Sequence, residues 1–306
     1  MKSPLISNYM KKLQMLFLCL WGICLSVTAQ NYMFKHLEVK DGLSNNQVNA
    51  IYKDSRGFMW FGTASGLNRY DGYEFKIYRN QNNDTKSLPD NYVEDIQEDA
   101  SGNLWIRTSA GYVFYNSLTD TFDRDVEKWM WNIGISGNPS SIYIDKHKIF
   151  WIYVLGKGIY RYVNGEKKAE RVNVKAEALL NTDIADMIES NEGILLMYSH
   201  GVLVCLDKEK LNIKWTINDI ASDVGKETVN DFSLFIDQKE HLWIYGVLGM
   251  WIYNLPQKTW ELRSPKDDSY NSVRAVAQDK HGCIWMGKDQ DGVELVDAKG
   301  NHKHLV

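Results

Sequence analysis

The chain is poor in the residues that mark several common protein classes. Of 306 residues only 5 are proline and 4 are cysteine, and no two cysteines form a Cys-x-x-Cys pair. That excludes a zinc ribbon and a disulfide-stapled mini-domain. Basic residues number 35 against 39 acidic, a net charge of −4, so the basic stripe of a nucleic-acid-binding surface is missing. Beyond the N-terminal region no apolar run reaches membrane-spanning length. Helical periodicity is absent throughout. There is no Gly-x-Ser-x-Gly, no P-loop and no His-Glu-x-x-His. The seven histidines (36, 147, 200, 241, 281, 302, 304) are scattered, without metal-ligand spacing inside one element. His302 and His304 alternate as in an edge strand. Nothing here implies catalysis, a metal or a cofactor.

What the chain does have is aromatic residues: 11 Trp, 17 Tyr and 10 Phe. With 44% apolar and 24% charged residues it reads as a soluble globular protein with a substantial core.

Residues 1–29 read as an address. Lys11 and Lys12 precede an apolar run from Met15 to Leu25, which ends at Val27-Thr28-Ala29. Charge, apolar stretch and small-residue cleavage site are the order of a secretory signal peptide, with Met10 as the more ordinary start. The alternative, a permanent N-terminal anchor, needs a longer run. Ile23 before Cys24 argues against a lipoprotein. Cleavage after Ala29 leaves a net charge of −7 and two cysteines, Cys205 and Cys283. These fall on strands of non-adjacent units, where a disulfide is not expected. The mature piece is expected to be exported to the periplasm and soluble.

The remainder repeats itself. A tryptophan closes an apolar triplet at Trp60, Trp105, Trp151, Trp243 and Trp285, with Leu195 in the equivalent place of the fourth copy. An acid stands six positions before each: Asp54, Asp99, Asp145, Glu189, Asp237 and Asp279. A glycine follows at Gly66, Gly111, Gly158, Gly201, Gly249 and Gly292. Each copy reads as four short strands. In the first, Val48–Tyr52 alternates, Asp54-Ser55-Arg56-Gly57 turns, and Phe58–Thr63 is a buried strand. Gly66–Tyr70 follows, then an Asp71-Gly72 hairpin and Tyr73–Tyr78. A four-stranded unit of ~40–45 residues has the period of a β-propeller blade. The expected fold is all-β, with six blades near 43–80, 88–126, 135–172, 180–217, 226–263 and 270–306. The anchor tryptophans are expected to wedge between neighbouring blades.

Two stretches carry a family resemblance. The opening from Leu37 to Val48 (LEVKDGLSNNQV) is followed by Asp54–Thr63 (DSRGFMWFGT) and Gly66–Gly72 (GLNRYDG). Together they resemble the two-component regulator propellers, as does the second copy from Leu88-Pro89-Asp90-Asn91 to Trp105. The resemblance implies the periplasmic sensor of a hybrid histidine kinase of Bacteroidetes, one that detects oligosaccharides and regulates polysaccharide utilisation. It also implies seven-bladed rings and, as partners in the same protein, a further propeller and a kinase core. Six copies read as an N-terminal fragment of such a sensor, with Met33–Val39 as the strand that completes a last blade. The alternatives are six blades that close by themselves, and a free-standing exported carbohydrate-binding or scaffold propeller.

In a propeller the loops between second and third strands share one face with the blade-to-blade connections. Where the first copy has Gly62-Thr63, later copies place Arg107, Tyr153, Met197 and Tyr245. Rings and a guanidinium at a channel mouth suit sugars, while the plainer account is inter-blade filling. Trp129 and Trp131, in the long connection after the second blade, would share one side of an extended segment. Trp251, replacing Asn68 of the first copy, is expected to face outward. These three are candidates for a sugar platform or a homodimer contact. The ligand candidates are therefore Arg107, Tyr153, Tyr245, Trp129 and Trp131.

Overall fold

The computed structural model describes residues 34–174, 177–224, 232–247, 249–265, 273–289 and 292–305. It divides into a short unit, Met1–Leu37, and a body, Glu38–Val306. The expected signal peptide lies outside the described residues. In the described part of Met33–Val39 no strand forms: residues 34–38 are irregular, and Val39–Asp41 make a 3-10 turn.

The body is the all-β propeller expected from the repeats. Six four-stranded antiparallel sheets each run in simple sequence order. They span residues 48–78, 93–123, 141–171, 184–217, 233–265 and 273–305. The first strand of each blade lines the axis and the fourth lies at the rim. No helix among the described residues is long and apolar enough to cross a membrane.

Five of the six blades are each organised by one aspartate. In the first, Asp54 Oδ1 accepts the backbone N–H of Arg56 at 3.0 Å and of Phe58 at 2.9 Å, which closes the turn between first and second strands. Its Oδ2 accepts the indole N–H of Trp60 at 2.9 Å. The same fork recurs at Trp105–Asp99 (3.2 Å), Trp151–Asp145 (3.1 Å), Trp243–Asp237 (3.4 Å) and Trp285–Asp279 (3.0 Å). The acid spaced six before the indole is thus the indole's partner as well as the turn residue. A tryptophan can be buried only where its N–H is satisfied.

The fourth blade corrects the repeat assignment. Leu195 does occupy the anchor position, paired with Ile188 as Trp60 pairs with Tyr52. The turn there is one residue shorter, so Ser190, not Glu189, takes the place of Asp54. Its backbone N–H donates to the Gly193 carbonyl and its hydroxyl accepts from Glu192 N–H. Leucine has no N–H to satisfy, and the acid is lost with it. Glu189 instead ends the first strand, where it accepts the backbone N–H of Lys146 from the neighbouring blade and pairs with Lys208 at 2.6 Å.

Five of the six anchors pack into the blade that follows them in the chain. Trp60 lies among Ile96, Leu104, Ile106 and Val113, Trp105 among Ile142, Phe150 and Ile152, and Trp151 among Ile184, Met187 and Leu196. Leu195 packs with Leu234, Ile244 and Trp251, and Trp243 with Val276, Ile284 and Met286. Two glycines are required by close approach. A Cβ on Gly62 would stand 2.6 Å from Val93 Cγ1 of the second blade. One on Gly66, at φ +133, would meet the Tyr78 carbonyl at 2.6 Å.

Among the described residues three short α-helices depart from the expectation of none: α1 (Val126–Asn132), α2 (Glu177–Leu180) and α3 (Asp219–Val224), all in connections between blades. Asp125 caps α1 through the Lys128 N–H, and Val126 and Met130, four apart, are its buried face. Trp129 and Trp131 therefore do not share a side. Trp129 lies 4.5 Å from the Trp105 ring, centroid to centroid, whereas Trp131 is 61% exposed. Trp251 is likewise not outward-facing. It is fully buried, with its N–H on Asp223 of α3 at 2.9 Å. Its counterpart Asn68 is buried too, so the position is interior whatever residue fills it.

The first blade differs on its far face. Ile51 is 62% exposed, while its register equivalents Ile96, Ile142, Met187, Leu234 and Val276 are 3–8% exposed, each covered by the preceding blade. Truncating Ile96 to alanine should cost about 2–5 kcal/mol of unfolding free energy and Ile51→Ala less than about 0.5 kcal/mol, as read from urea midpoints. Asp54→Asn keeps the turn acceptor but sets an amide N–H against the Trp60 N–H. It should cost about 2–3 kcal/mol, and the same substitution should cost less in a Trp60→Phe background, which has no indole N–H to oppose the amide, in the same assay.

Candidate functional site

The first strands converge on a channel. At its mouth, on the side of the blade-to-blade connections, is a cavity of about 430 Å³. Arg107, Tyr112, Tyr245, Asp95 and Asp186 line it, with Asn49, Ser141 and Ser233. A second cavity of about 520 Å³ continues toward the opposite face past Tyr52, Glu98 and Lys148. Asp95, Gln97, Tyr143, Asp186 and Met187 border both and form the waist.

The polar residues of the channel also join the blades. Asn49 donates to the Val93 carbonyl at 2.9 Å. Gln97 donates to the Ile142 carbonyl at 2.9 Å and accepts the Ile144 N–H at 2.6 Å. The Tyr112 hydroxyl accepts the Ile142 N–H, and that of Tyr143 the Glu189 N–H. Asp186 Oδ2 accepts the Leu234 N–H at 2.8 Å. These bonds exist because a blade's first strand has only one in-sheet neighbour. Its free edge faces the axis, and side chains reach from one blade to the next to satisfy it.

Arg107 and Tyr245 both come to the mouth. Arg107 Nε pairs with Glu94 at 2.9 Å. Tyr153, from the same position of the third blade, does not line the channel. It is fully buried, and its hydroxyl donates into the carbonyl cluster at the end of α2, 2.7 Å from Thr182 O and 2.9 Å from Leu180 O. Trp129 and Trp131 lie on α1, away from the channel. Sequence reasoning passed over Asp95, Tyr143 and Asp186, for which alternation in the first strands was a usable signal, and Tyr112, which comes from the third strand of the second blade. An Asp or Tyr on a strand that must face both a seam and an axis marks the channel wall.

Burial shapes the titration of this wall. It is the main cause that lifts Asp186 to about 7, against the Leu234 and Met187 N–H groups, with Asp95 adding repulsion and Arg107 opposing it. Burial raises Asp95 as well, against the hydrogen bond from Gln97. Tyr112 and Tyr245 are each pushed up to about 12, again mainly by burial. Among the described residues neither Asp95 nor Asp186 has a cationic partner within ion-pair distance, and none group into a cluster able to hold a metal.

Asp186 gives a pH signature. An unfolded aspartate ionises near about 3.9, so the folded chain holds a proton that the unfolded chain has released between about pH 4 and pH 7. Stability from this group is therefore gained as pH falls through 7 and lost as it rises. The melting temperature of the chain should exceed that of Asp186→Asn by more at about pH 5.5 than at about pH 8, as followed by circular dichroism. A constant difference would contradict the raised pKa.

The model of the family described as "Two component regulator propeller" matches residues 42–65 and 87–110. The chain is 43% identical over 67 residues to Histidine kinase P4 of Formosa agariphila, a match that takes in 22% of this chain and 5% of the kinase. Two crystal structures of extracellular domains of hybrid two component systems from B. thetaiotaomicron superpose on 90% of the chain. Their TM-scores are 0.67 and 0.65, each at 22% identity. The chain spans 37% and 39% of their lengths, well under half. Virginiamycin B lyase of Staphylococcus aureus shares the fold at 10% identity and a TM-score of 0.58, over 85% of this chain and 84% of the lyase. At those identities the solved structures speak for the fold alone, and the family match belongs to the first two blades: residues 42–65 and 87–110 are two-component regulator propeller repeats.

Proposed function

We propose that this propeller is the periplasmic input module of a hybrid two-component sensor, and that its channel mouth binds an oligosaccharide. One observation carries the reading. A cavity of about 430 Å³ gathers Arg107, Tyr112, Tyr245, Asn49 and two serines at one end of the channel. Tyrosine faces take the C–H side of a pyranose, and amides, hydroxyls and a guanidinium take its hydroxyls. The carboxyl of Asp186, neutral up to about 7, can donate as well as accept. The histidine kinase relative supports the sensor half of the reading, and the kinase and any further propeller would be parts of the same protein.

The seam bonds suggest how binding could become a signal. A sugar that engages Asp186 or Asn49 touches groups that join the fourth blade to the fifth and the first to the second. Binding energy spent on those contacts favours one seam geometry over another, which is the requirement for passing a signal onward.

The test is calorimetric titration of the chain with xylohexaose, cellohexaose, mannohexaose and maltohexaose. Arg107→Ala and Tyr245→Phe, which keeps the buried ring, should each weaken the sugar that binds by about fivefold to tenfold, with melting temperatures near that of the parent. Unchanged affinity in both variants removes the channel from the account.

A further inference from the structure

We propose a second carbohydrate site at the rim, independent of the channel, in the groove between the outer strands of the second blade and helix α1. The groove is a cavity of about 380 Å³ with Trp105, Phe114 and Trp129 at its base. A neighbouring hollow of about 440 Å³ shares Phe114, Asp123 and Asp125 with it, so the groove continues along the blade's edge. Each volume is in the range of small-ligand sites.

The base is a continuous aromatic surface. The ring of Trp129 lies 4.5 Å from that of Trp105 at 57°, and Phe114 lies 5.8 Å from Trp105 at 30°. Trp105 is spent on the blade seam and nearly buried, whereas Trp129 and Phe114 keep part of their faces open to the groove. That is an apolar floor with an angle in it, shaped for the C–H face of a sugar ring.

The margin supplies directed polar groups. Asp123 Oδ1 accepts the Asp125 N–H at 2.9 Å, and Asp125 Oδ1 accepts the Lys128 N–H at 3.1 Å. Those bonds hold both carboxylates in place. Each leaves its Oδ2 without a protein donor among the described residues, at the groove's edge. Asn132, exposed on the last turn of α1, adds an amide. A carboxylate oxygen and an amide can each take a hydroxyl, the carboxylate by a charge-assisted bond. Lys128 lines the same groove, and Lys86 and Arg124 line the adjoining hollow. Acids and bases are therefore mixed along the groove, which suits a neutral sugar chain rather than a cation or a polyanion.

The experiment follows the indole N–H cross-peaks of the 15N-labelled chain by NMR, with the Trp129 peak identified by its absence in Trp129→Phe. The probes are xylohexaose, cellohexaose, mannohexaose and maltohexaose, each raised to about 10 mM, since exposed sugar sites bind at Kd values of order 1 mM. At least one probe should move the Trp129 peak, and Asp123→Ala/Asn132→Ala, two exposed changes, should weaken that response by about tenfold. Arg107→Ala should leave it unaltered. The proposal is overturned if no probe moves the Trp129 peak, if the double variant responds with unchanged affinity, or if Arg107→Ala abolishes the shift, which would assign it to the channel. The fluorescence melting curve of the double variant, expected to match the parent's, separates lost binding from lost folding.

Discussion

The structure depends on a carboxylate that performs two tasks at once. One oxygen of each turn aspartate gathers backbone N–H groups and shapes the turn between the first two strands, and the other takes the N–H of an indole one strand further on. Without the second bond the tryptophan could not be buried without loss, and without the tryptophan the face between blades would lack its largest apolar group. Asp54 and Trp60 are 3% and 0% exposed, so the bond operates where water does not compete for it. The fourth blade shows the coupling by exception: leucine replaces the indole and serine replaces the acid, because neither partner has a purpose alone.

Seams built this way divide the labour between apolar and polar groups. The apolar clusters each span two consecutive blades, with an anchor from one and the first two or three strands of the next. Toward the axis, the seams change character and are bridged by Asn49, Gln97, Tyr143 and Asp186. A propeller therefore carries its stability in the dry outer part of each seam and keeps its polar, titratable groups at the channel. A ligand in the channel meets residues whose other partners belong to the adjacent blade, and a ligand at the rim meets a surface that only a connection helix creates.

Much of the fold was legible because the repeat is written in residues that do something local. Asp, Trp and Gly at constant spacing mark a turn, a wedge and a strand start, and each role is settled within a dozen residues. The misread acid in the fourth copy came from counting along the chain, since a turn shortened by one residue keeps the strand register while shifting the count. The connection helices were hidden for a related reason. A helix of seven residues with only Val126 and Met130 buried offers too little periodicity to detect, so Trp129 and Trp131 were read as neighbours on a strand.

The candidate sites divide along the same line. By itself the sequence determined that there would be blades, where each begins, and which indoles would join them, since strand alternation and turn chemistry act between near neighbours. Only the tertiary structure decided that Arg107 and Tyr245 meet across a channel while Tyr153, from the same repeat position, turns to the carbonyls of α2. It alone also set Trp129 against Trp105 beside two half-satisfied carboxylates. Those outcomes depend on which side chains from separate blades or connections converge on one volume, and convergence is a property of how the blades assemble rather than of any single repeat.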